Sequence, residues 1–387
     1  MPRRTLAALT ATTVIVLGLS SATRGPAYAD PLPPPDRQAL AASIAGLPDD
    51  AVTGAQVRVS GADGRWRGAA GVRDVRTGKP VPASGRFRIG SATKMFTASL
   101  VLQLAAEDRL SLDDPVQSWL PGVLPTSYPT VTVGQLLDHT SGLPKSTEDA
   151  GHERPGWVVR HRFDWHTPLA VVRSATRQPM AFAPGTKQEY NGVNYFLAGL
   201  VVEHVTGRSY AHELRTRLIE PLGLADTYLP GRGEVRLPGP HAHGYVRVHG
   251  RLVDVTAQSA YGWAEAGIVS TTRDLGRFLS ALMVGRVVPR PWLDRMLTVP
   301  DVPYDGTAGG CAQGPDPGRA CFTSGLQRTA LPGGPVVYGK SGAVAGYRTL
   351  VVATADAGRV LATSLTTTGD GSGDERLLQV AGAAFGL

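Results

Sequence analysis

Alternating hydrophobic and polar residues at both ends of the chain predict β-strands. Four segments show this pattern, in two pairs joined by short turns: 56–60 with 65–72, and 349–354 with 360–366. A helical pattern closes the chain at about 374–385. Because a long stretch of helical pattern separates the two ends, we expect one antiparallel sheet built from both ends, with a helical insert.

Hydrophobic residues three or four positions apart predict the helices between these strands. Residues 195–206 carry Leu197, Leu200 and Val201 on one face, and Gly207 follows as a stop signal. Residues 272–284 show a similar pattern. Together with the terminal strands, these helices predict a protein of the mixed α/β (α+β) class.

The first 29 residues have the pattern of a secretory signal peptide. A basic start precedes a short apolar stretch at 6–19, and Ala27-Tyr28-Ala29 forms an A-x-A cleavage site before Asp30. A membrane anchor is the alternative, but the stretch is short for one. We therefore expect a secreted, extracellular protein with no membrane insertion after the signal peptide is removed.

Composition and charge exclude some functions. Of the 387 residues, 42% are hydrophobic, which excludes disorder as a description of the whole chain. Residues 1–29 contain three arginines and no acidic residue, so the net charge of +7 becomes +4 without them. The arginines are scattered rather than clustered, and we expect no nucleic-acid partner.

The two cysteines, Cys311 and Cys321, are ten residues apart in a segment rich in glycine and proline. In an oxidising compartment, such a pair is expected to form one disulfide, with two free thiols as the alternative. Their spacing fits no zinc site.

The use of lysine indicates where chemistry takes place. Only five of the 39 basic residues are lysine. Arginine cannot lose its proton in a protein, whereas a buried lysine can. A chain this rich in arginine should keep lysine mainly at positions where a side chain must be able to lose its proton. Two of the five lysines, Lys94 and Lys340, lie in short motifs with serine.

The first motif, Ser91-Ala92-Thr93-Lys94, follows an extended segment and begins a helical run. The spacing of three places the Lys94 amine on the same helix face as the Ser91 hydroxyl. The helix N-terminus also offers N–H groups to a developing oxyanion. The motif predicts a serine nucleophile, and an N-cap serine with an exposed lysine is the alternative.

The second motif, Lys340-Ser341-Gly342, precedes the predicted strand pair near the C-terminus. We expect Lys340 and Ser341 to bind an anionic group of the substrate, Gly342 to let the substrate approach closely, and the following residues to offer a backbone N–H to the cleft. An ordinary loop is the alternative.

The third element is Tyr190-Asn191-Gly192, just before the helix at 195–206. A phenol near two ammonium groups has a lowered pKa and can act as a base. An ordinary tyrosine of the core or surface is the alternative.

Along the chain, the three elements occur in the order S-x-x-K, Y-x-N and K-[ST]-G. In this order they resemble the motifs of the serine β-lactamase and penicillin-binding D-alanyl-D-alanine carboxypeptidase family, above all its class C β-lactamase-like branch. The resemblance extends from about residue 36 to the C-terminus. Further segments similar to this family are 113–115, 136–143, 221–224 and 267–271.

The resemblance implies a β-lactamase/transpeptidase-like fold, in which an antiparallel sheet flanked by helices is joined by an α-helical subdomain, with the site in the cleft between them. After the signal peptide at 1–29, residues 30–387 would form this domain. Its α/β part would comprise about 36–105 and 265–387, and its helical part about 106–264.

The resemblance also implies an acyl-enzyme mechanism, and we expect neither a cofactor nor a metal. Ser91 would attack a carbonyl carbon, Lys94 and Tyr190 would exchange the proton, and the N–H groups of Ser91 and Ala343 would hold the oxyanion. Lys340, with the serine that follows it, would orient a carboxylate of the substrate and keep Tyr190 acidic. Whether Lys94 or Tyr190 is the acylation base stays open.

One position departs from the family pattern. The third residue of the Y-x-N motif is normally an asparagine whose amide contacts an amide of the substrate, but here it is Gly192. Asn194 is one candidate substitute, and a pocket for substrates without that amide is the other interpretation. If the missing amide limits peptide substrates, Gly192→Asn should raise acylation by D-Ala-D-Ala peptides.

Histidines and acidic residues give weaker candidates. His139 is a conceivable triad base, but no G-x-S-x-G elbow accompanies it, which favours a structural role. His241 and His243 have metal-like spacing without an evident third ligand. Asp370 and Asp374 lie too close together for a calcium loop and are expected to cap the last helix.

Four larger side chains are candidates for the walls of the cleft. Tyr261 and Trp263 are expected either at the cleft or in the core. Arg328 and Arg348 flank the second motif and are candidate carboxylate contacts.

The leading functional hypothesis is a serine hydrolase resembling a D-alanyl-D-alanine carboxypeptidase, acting on cell-wall peptides. A β-lactamase is one alternative, and an esterase or D-aminopeptidase on the same scaffold, favoured by Gly192, is another. Ser91 and Lys94 argue against a fourth hypothesis, a non-catalytic wall-binding protein. The expected partner is a peptidoglycan-type peptide or a β-lactam, and the expected assembly is a monomer.

Overall fold

The computed structural model describes residues 32–62, 64–148, 154–306, 311, 317–369 and 373–387. The predicted signal peptide and Asp30 lie outside the described residues, as does Asp370 of the expected helix cap. From residue 32 onward the described chain forms one compact unit, and its expected division into an α/β part and a helical part stays a prediction. Among the described residues, no helix is long and apolar enough to cross a membrane.

The strands of the described chain come mainly from its two ends, as the alternating pattern predicted. They are β1 (Val52–Ser60), β2 (Trp66–Gly71), β3 (Phe87–Arg88), β4 (Tyr245–Val248), β5 (Arg251–Asp254), β6 (Val269–Ser270), β7 (Gln327–Ala330), β8 (Val336–Val344), β9 (Tyr347–Thr354) and β10 (Val360–Thr367). Six of them form one antiparallel sheet in the order β2-β1-β10-β9-β8-β7, and β3–β6 and β4–β5 form two small ladders.

The helices lie around this sheet and in the segment between its two halves. They are α1 (Arg37–Ser43), α2 (Thr93–Ala106), α3 (Val116–Trp119), α4 (Val133–Leu137), α5 (Pro155–His161), α6 (Pro168–Ala175), α7 (Val193–Thr206), α8 (Tyr210–Leu214), α9 (Glu220–Leu222), α10 (Trp263–Ala266), α11 (Thr272–Met283), α12 (Trp292–Leu297) and α13 (Gly373–Phe385). The three helices predicted from periodicity, α7, α11 and α13, are confirmed to within two residues at each end. The predicted fold class is confirmed.

Helices cover both faces of the sheet, and β10 shows this most clearly. Val360 and Ala362 belong to the core shared with α2 and α11, whereas Leu361 and Leu365 belong to the core shared with α1 and α13. Because both faces are covered, all eight residues of β10 are buried. The sheet is therefore the middle layer of three.

The helix that carries the first motif, α2, is buried on nearly all sides. Twelve of its 14 residues are buried, and Phe96 stacks on Phe278 of α11 with the ring centroids 3.8 Å apart. A helix that is hydrophobic all round must lie inside the molecule. This burial holds the N-terminal end of α2 firmly beside the sheet.

The second motif precedes the C-terminal strand pair, as predicted, but it lies within a strand of its own that the sequence pattern did not show. Lys340, Ser341 and Gly342 are inside β8, which pairs with β9, the first strand of that pair. The ladder between β8 and β9 runs from the pair Val337–Thr354 to the pair Val344–Tyr347. Glycines interrupt the alternation within β8, so the sequence pattern did not show a strand that its hydrogen bonds to β9 establish.

Candidate active site

Ser91 and Lys94 have the geometry that their spacing predicts. Ser91 lies in the 3-10 turn Gly90–Ala92, which leads into α2. The Lys94 ammonium, one turn further on, donates to Ser91 Oγ at 3.3 Å. Lys94 is completely buried, so protein atoms rather than water surround its charge.

Two glycines bring the serine turn into backbone contact with β8. Gly90 has a φ of +54°, and a Cβ there would lie 2.7 Å from the backbone nitrogen of Ala343. A Cβ on Gly342 would collide with the carbonyl oxygen of Ile89. The chain itself therefore takes the space on the Cβ side of Gly342, and the expected approach of a substrate to this glycine stays a prediction. The contact places the Ala343 backbone next to Ser91, where two N–H groups can face one oxyanion.

Tyr190 lies between the two motif lysines. The ammonium nitrogens of Lys94 and Lys340 are 4.9 Å and 4.6 Å from the centre of its ring. Burial alone would raise the pKa of the phenol, but Lys340 and Lys94 outweigh burial and hold the pKa of Tyr190 below its ordinary value. Lys340 is an ammonium, so burial has the opposite effect on it and lowers its pKa. The predicted cluster of one phenol and two ammonium groups is present.

His139 supports Tyr190 from one side. Their ring centroids are 4.5 Å apart, and His139 Nδ1 accepts a hydrogen bond from the backbone N–H of Asn191 at 3.2 Å. Burial and the charges of Lys94 and Lys340 hold the pKa of His139 well below its usual range, so its ring is neutral. These contacts are those of a structural residue.

The amides of both asparagines of this segment are engaged in hydrogen bonds within the protein. The Asn191 amide donates to the carbonyl of Leu143 at 2.7 Å and accepts from the N–H of Val193 at 3.0 Å. Asn194 is fully buried, and its amide oxygen accepts from the Ser141 hydroxyl at 2.6 Å. Asn194 is therefore not a substitute for the missing amide.

Glu265 of α10 was not among the residues expected from the sequence. A Cβ on Gly192 would meet the Glu265 side chain at 3.1 to 3.3 Å. The Glu265 carboxylate forms an ion pair with Lys94, and the Glu265 carbonyl accepts from the same ammonium at 3.2 Å. Burial would lower the pKa of Lys94, but Glu265 and Tyr190 outweigh burial and raise it.

The position beside Gly192 is thus filled, and the expected gain from Gly192→Asn no longer follows. Two signals in the sequence pointed to this arrangement. One is a glycine at a motif position that normally carries a polar side chain. The other is an acidic residue two positions before the segment at 267–271.

These residues border a cleft of about 700 Å³. Of the predicted site residues, Ser91, Tyr190 and Ala343 line the cleft, whereas Lys340 lies against the Tyr190 ring. The remaining walls are largely apolar and aromatic, and they include Trp157, Val171, Phe196 and Tyr261.

The arginines predicted as carboxylate contacts lie elsewhere. Neither Arg328 nor Arg348 is among the residues that line the cleft, and Arg348 lies 3.6 Å from the carboxylate of Asp374. Arg88 and Arg162 line it instead. The Arg88 guanidinium is engaged by three backbone carbonyls, so it supports the wall of the cleft.

The other candidates divide between core and surface. Trp263 packs in the core with its ring 5.1 Å from that of Tyr210. His243 pairs with Asp254 at 2.7 Å, and His241 stacks beside it. In the part of the chain that the structure describes, no group of three or more histidine, cysteine or acidic side chains is placed to hold a metal ion.

Cys311 and Cys321 form the predicted disulfide, which supports the wall behind Tyr190. Phe322 follows Cys321 and packs with its ring centroid 5.0 Å from that of Tyr190. The backbone N–H groups of Cys321 and Phe322 both donate to the side-chain oxygen of Gln188 at 3.0 Å.

We expect the double variant Cys311→Ser/Cys321→Ser to lower the free energy of unfolding by about 2–3 kcal/mol. Opening so short a loop returns conformational entropy to the unfolded chain. Urea denaturation measures the change, and wild-type protein in reducing buffer should show the same loss. A loss below about 1 kcal/mol would contradict the entropic account.

Comparison with known proteins agrees with this architecture. A family model described as Beta-lactamase matches residues 39–385. The chain is 32% identical to Esterase EstB of Burkholderia gladioli over 247 residues, 56% of this chain and 62% of the relative. It is 36% identical to Penicillin-binding protein 4 of Amycolatopsis lactamdurans over 160 residues, 40% of this chain and 39% of the relative. The chain thus spans less than two thirds of the length of either relative.

Among solved structures, a D-stereospecific amidohydrolase from Streptomyces sp. matches with a TM-score of 0.78 and 33% identity, over 91% of this chain and 99% of that chain. The family model and this structure both extend over nearly all of the described residues. The chain therefore belongs to the beta-lactamase family and has the β-lactamase/transpeptidase-like fold.

Proposed function

We propose that this protein is an exported serine hydrolase that forms an acyl-enzyme at Ser91 and acts on small esters and on amides of D-amino acids. The observation that carries the proposal is the carboxylate of Glu265 in the position beside Gly192. A carboxylate accepts hydrogen bonds but donates none, so it cannot replace an asparagine N–H. Substrates that do not need that contact are favoured.

The proposed reaction uses groups that the fold already brings together. Ser91 attacks the carbonyl carbon, and its proton passes to the pair of Lys94 and Tyr190. The N–H groups of Ser91 and Ala343 stabilise the oxyanion. Water then attacks the acyl carbon, and the pair of Lys94 and Tyr190 takes its proton and returns it to Ser91 Oγ as the acyl bond breaks.

Two of the similar proteins support this choice of substrate. One is an esterase, and one of the solved structures that match over most of both chains is a D-stereospecific amidohydrolase. For export, the support is the signal-peptide pattern at 1–29 and a disulfide suited to an oxidising compartment. A monomer remains the proposed assembly.

A D-alanyl-D-alanine carboxypeptidase, the leading hypothesis from the sequence, becomes the second candidate. The match to a penicillin-binding protein favours it. However, neither Lys340 nor Ser341 is among the residues that line the cleft. The expected contact between these two residues and a substrate carboxylate stays a prediction.

One activity panel tests the proposal. It compares p-nitrophenyl acetate, D- and L-alanine amide, a D-Ala-D-Ala peptide and nitrocefin, each with wild type and Ser91→Ala. We expect the highest kcat/KM for the ester and the D-amide. We also expect at least about a tenfold preference for the D- over the L-amide, which corresponds to a difference of about 1.4 kcal/mol in activation free energy. Fastest turnover of the D-Ala-D-Ala peptide would instead establish the second candidate.

A further inference from the structure

We propose that Glu265 takes over the position of the missing motif side chain and is a positioning residue for acylation. Its carboxylate holds Lys94 as an ammonium. Tyr190 then receives the proton of Ser91. This inference rests on the proposed function, because it concerns how Ser91 is activated.

The place of Glu265 is set by the packing of α10. Trp263 at the start of this helix is buried in the core, and Gly199 of α7 makes room for its ring, since a Cβ there would lie 2.6 Å from it. The Thr97 hydroxyl donates to the carbonyl of Ala264 at 2.6 Å. Glu265 follows directly after these two anchors, so its backbone is fixed beside α2.

Glu265 binds the Lys94 ammonium through two oxygens. One is in the carboxylate, and the other is the backbone carbonyl at 3.2 Å. Ser91 Oγ is a third partner at 3.3 Å. An ammonium has three N–H donors and no lone pair, so Lys94 in this state has no site for the Ser91 proton.

The room for this carboxylate exists because residue 192 is glycine. Gly192 has a φ of −67° and a ψ of −32°, a helical conformation that any residue can adopt. The backbone therefore does not require glycine here. A side chain longer than a Cβ would compete with Glu265 for one position, so residues 192 and 265 form a coupled pair.

Of the two phenols in this cluster, Tyr190 has the lowered pKa. Burial raises the pKa of Tyr195 well above its ordinary value, and His139 is held neutral. Lys340 approaches the Tyr190 ring from β8 at 4.6 Å, and Lys94, which is paired with Glu265, approaches it at 4.9 Å. The ionisable groups that face one another here are Lys94, His139, Tyr190, Tyr195, Glu265 and Lys340.

The proposed step balances in protons and electrons. The Tyr190 phenolate takes the proton of Ser91 as Oγ forms a bond to the carbonyl carbon and the carbonyl π electrons move to oxygen. When the carbonyl forms again, the bond to the leaving group breaks, and Tyr190 returns the proton to the leaving oxygen or nitrogen. Lys94 keeps its three protons throughout, and Glu265 forms no covalent bond.

Five variants of the full chain test this inference on a p-nitrophenyl ester: Glu265→Gln, Glu265→Ala, Gly192→Asn, Glu265→Ala/Gly192→Asn and, as a control, Glu375→Gln. Glu375 is exposed on α13, so its variant should match wild type. We expect each Glu265 variant to lose about 10- to 100-fold in kcat/KM, between the effect of one hydrogen bond and that of a proton-transfer partner.

The coupled pair makes a sharper test than the single losses. Gly192→Asn alone should also lower kcat/KM, because the new side chain displaces the carboxylate. In the double variant the asparagine oxygen can accept from Lys94 in the vacated position. We therefore expect the double variant to exceed Glu265→Ala by at least about fivefold, the effect of one hydrogen bond.

The pH profile separates this role from a purely structural one. The Glu265 anion raises the pKa of Lys94 and opposes the lowering of the pKa of Tyr190. Activity requires a deprotonated Tyr190 and a protonated Lys94, so kcat/KM rises and then falls with pH. Removal of the anion in Glu265→Gln lowers both pKa values, and both limbs of the profile should move to lower pH.

The outcomes distinguish this inference from the proposed function. If wild type forms no acyl-enzyme at Ser91, the proposed function fails. If wild type is active through Ser91 but Glu265→Gln keeps the wild-type rate and pH profile, only this inference is wrong. A double variant no better than Glu265→Ala would refute the coupled pair. Should Glu265→Ala fail to fold, the pH profile of Glu265→Gln decides alone.

Discussion

Ser91→Ala should abolish labelling by a fluorescent fluorophosphonate and reduce kcat/KM for p-nitrophenyl esters by at least about 10³-fold. The variant keeps the cleft and its N–H groups but lacks the oxygen that would form the acyl bond. Ser91 is partly exposed, so the loss of its hydroxyl should leave thermal stability nearly unchanged. Labelling in a gel and steady-state kinetics measure the two effects.

A matched serine variant completes this experiment. Ser118 is exposed on α3, and Ser118→Ala should keep wild-type labelling and turnover. If Ser91→Ala is labelled as strongly as wild type, the nucleophile is another residue and the proposed mechanism is wrong.

Lys94→Arg should lose about 10²- to 10³-fold in kcat/KM, although the positive charge is kept. The Lys94 side chain is fully buried, with the rings of Tyr190 and Tyr195 at 4.9 Å and 5.4 Å from its ammonium. A planar guanidinium is larger and cannot direct its N–H groups at Ser91 and at both Glu265 oxygens in the same way. The charge would remain, but the oxygen atoms that it stabilises would move.

Two further variants separate geometry from unfolding. Lys79 is exposed, and Lys79→Arg should behave as wild type. Lys94→Met is close to lysine in shape but neutral, and its loss should equal or exceed that of Lys94→Arg. A Lys94→Arg protein that melts like wild type and keeps most of its activity would show that Lys94 acts only through its charge.

The fold could be predicted where the sequence signal is local. The pairs β1–β2 and β9–β10 alternate over many residues and carry turn residues between them, so the pattern placed them correctly. The strand β8 was missed because Gly339 and Gly342 interrupt its alternation. The two-residue strands β3 and β6 are too short for any periodicity, and only their tertiary pairing defines them.

In the candidate site, contacts between residues close in sequence could be predicted, whereas contacts between distant segments could not be predicted from the pattern alone. The proximity of Ser91 and Lys94 follows from three residues of helix. The proximity of Tyr190 and Lys340 came from the family resemblance, since no periodicity joins positions so far apart. Glu265 was missed because the sequence shows the glycine at position 192 but not which side chain fills the space beside it, and only the packing of α10 beside α7 brings Glu265 there.

The backbone contact between the serine turn and β8 has a consequence for evolvability. Main chain meets main chain where Gly342 approaches Ile89, so the distance between the two halves of the site depends little on side-chain volume. Substitutions in the core should then change stability before they change this distance. A directed-evolution library at Trp157, Phe196 and Tyr261 would alter the range of accepted acyl groups, and every member would inherit the same spacing between Ser91 and the Ala343 backbone.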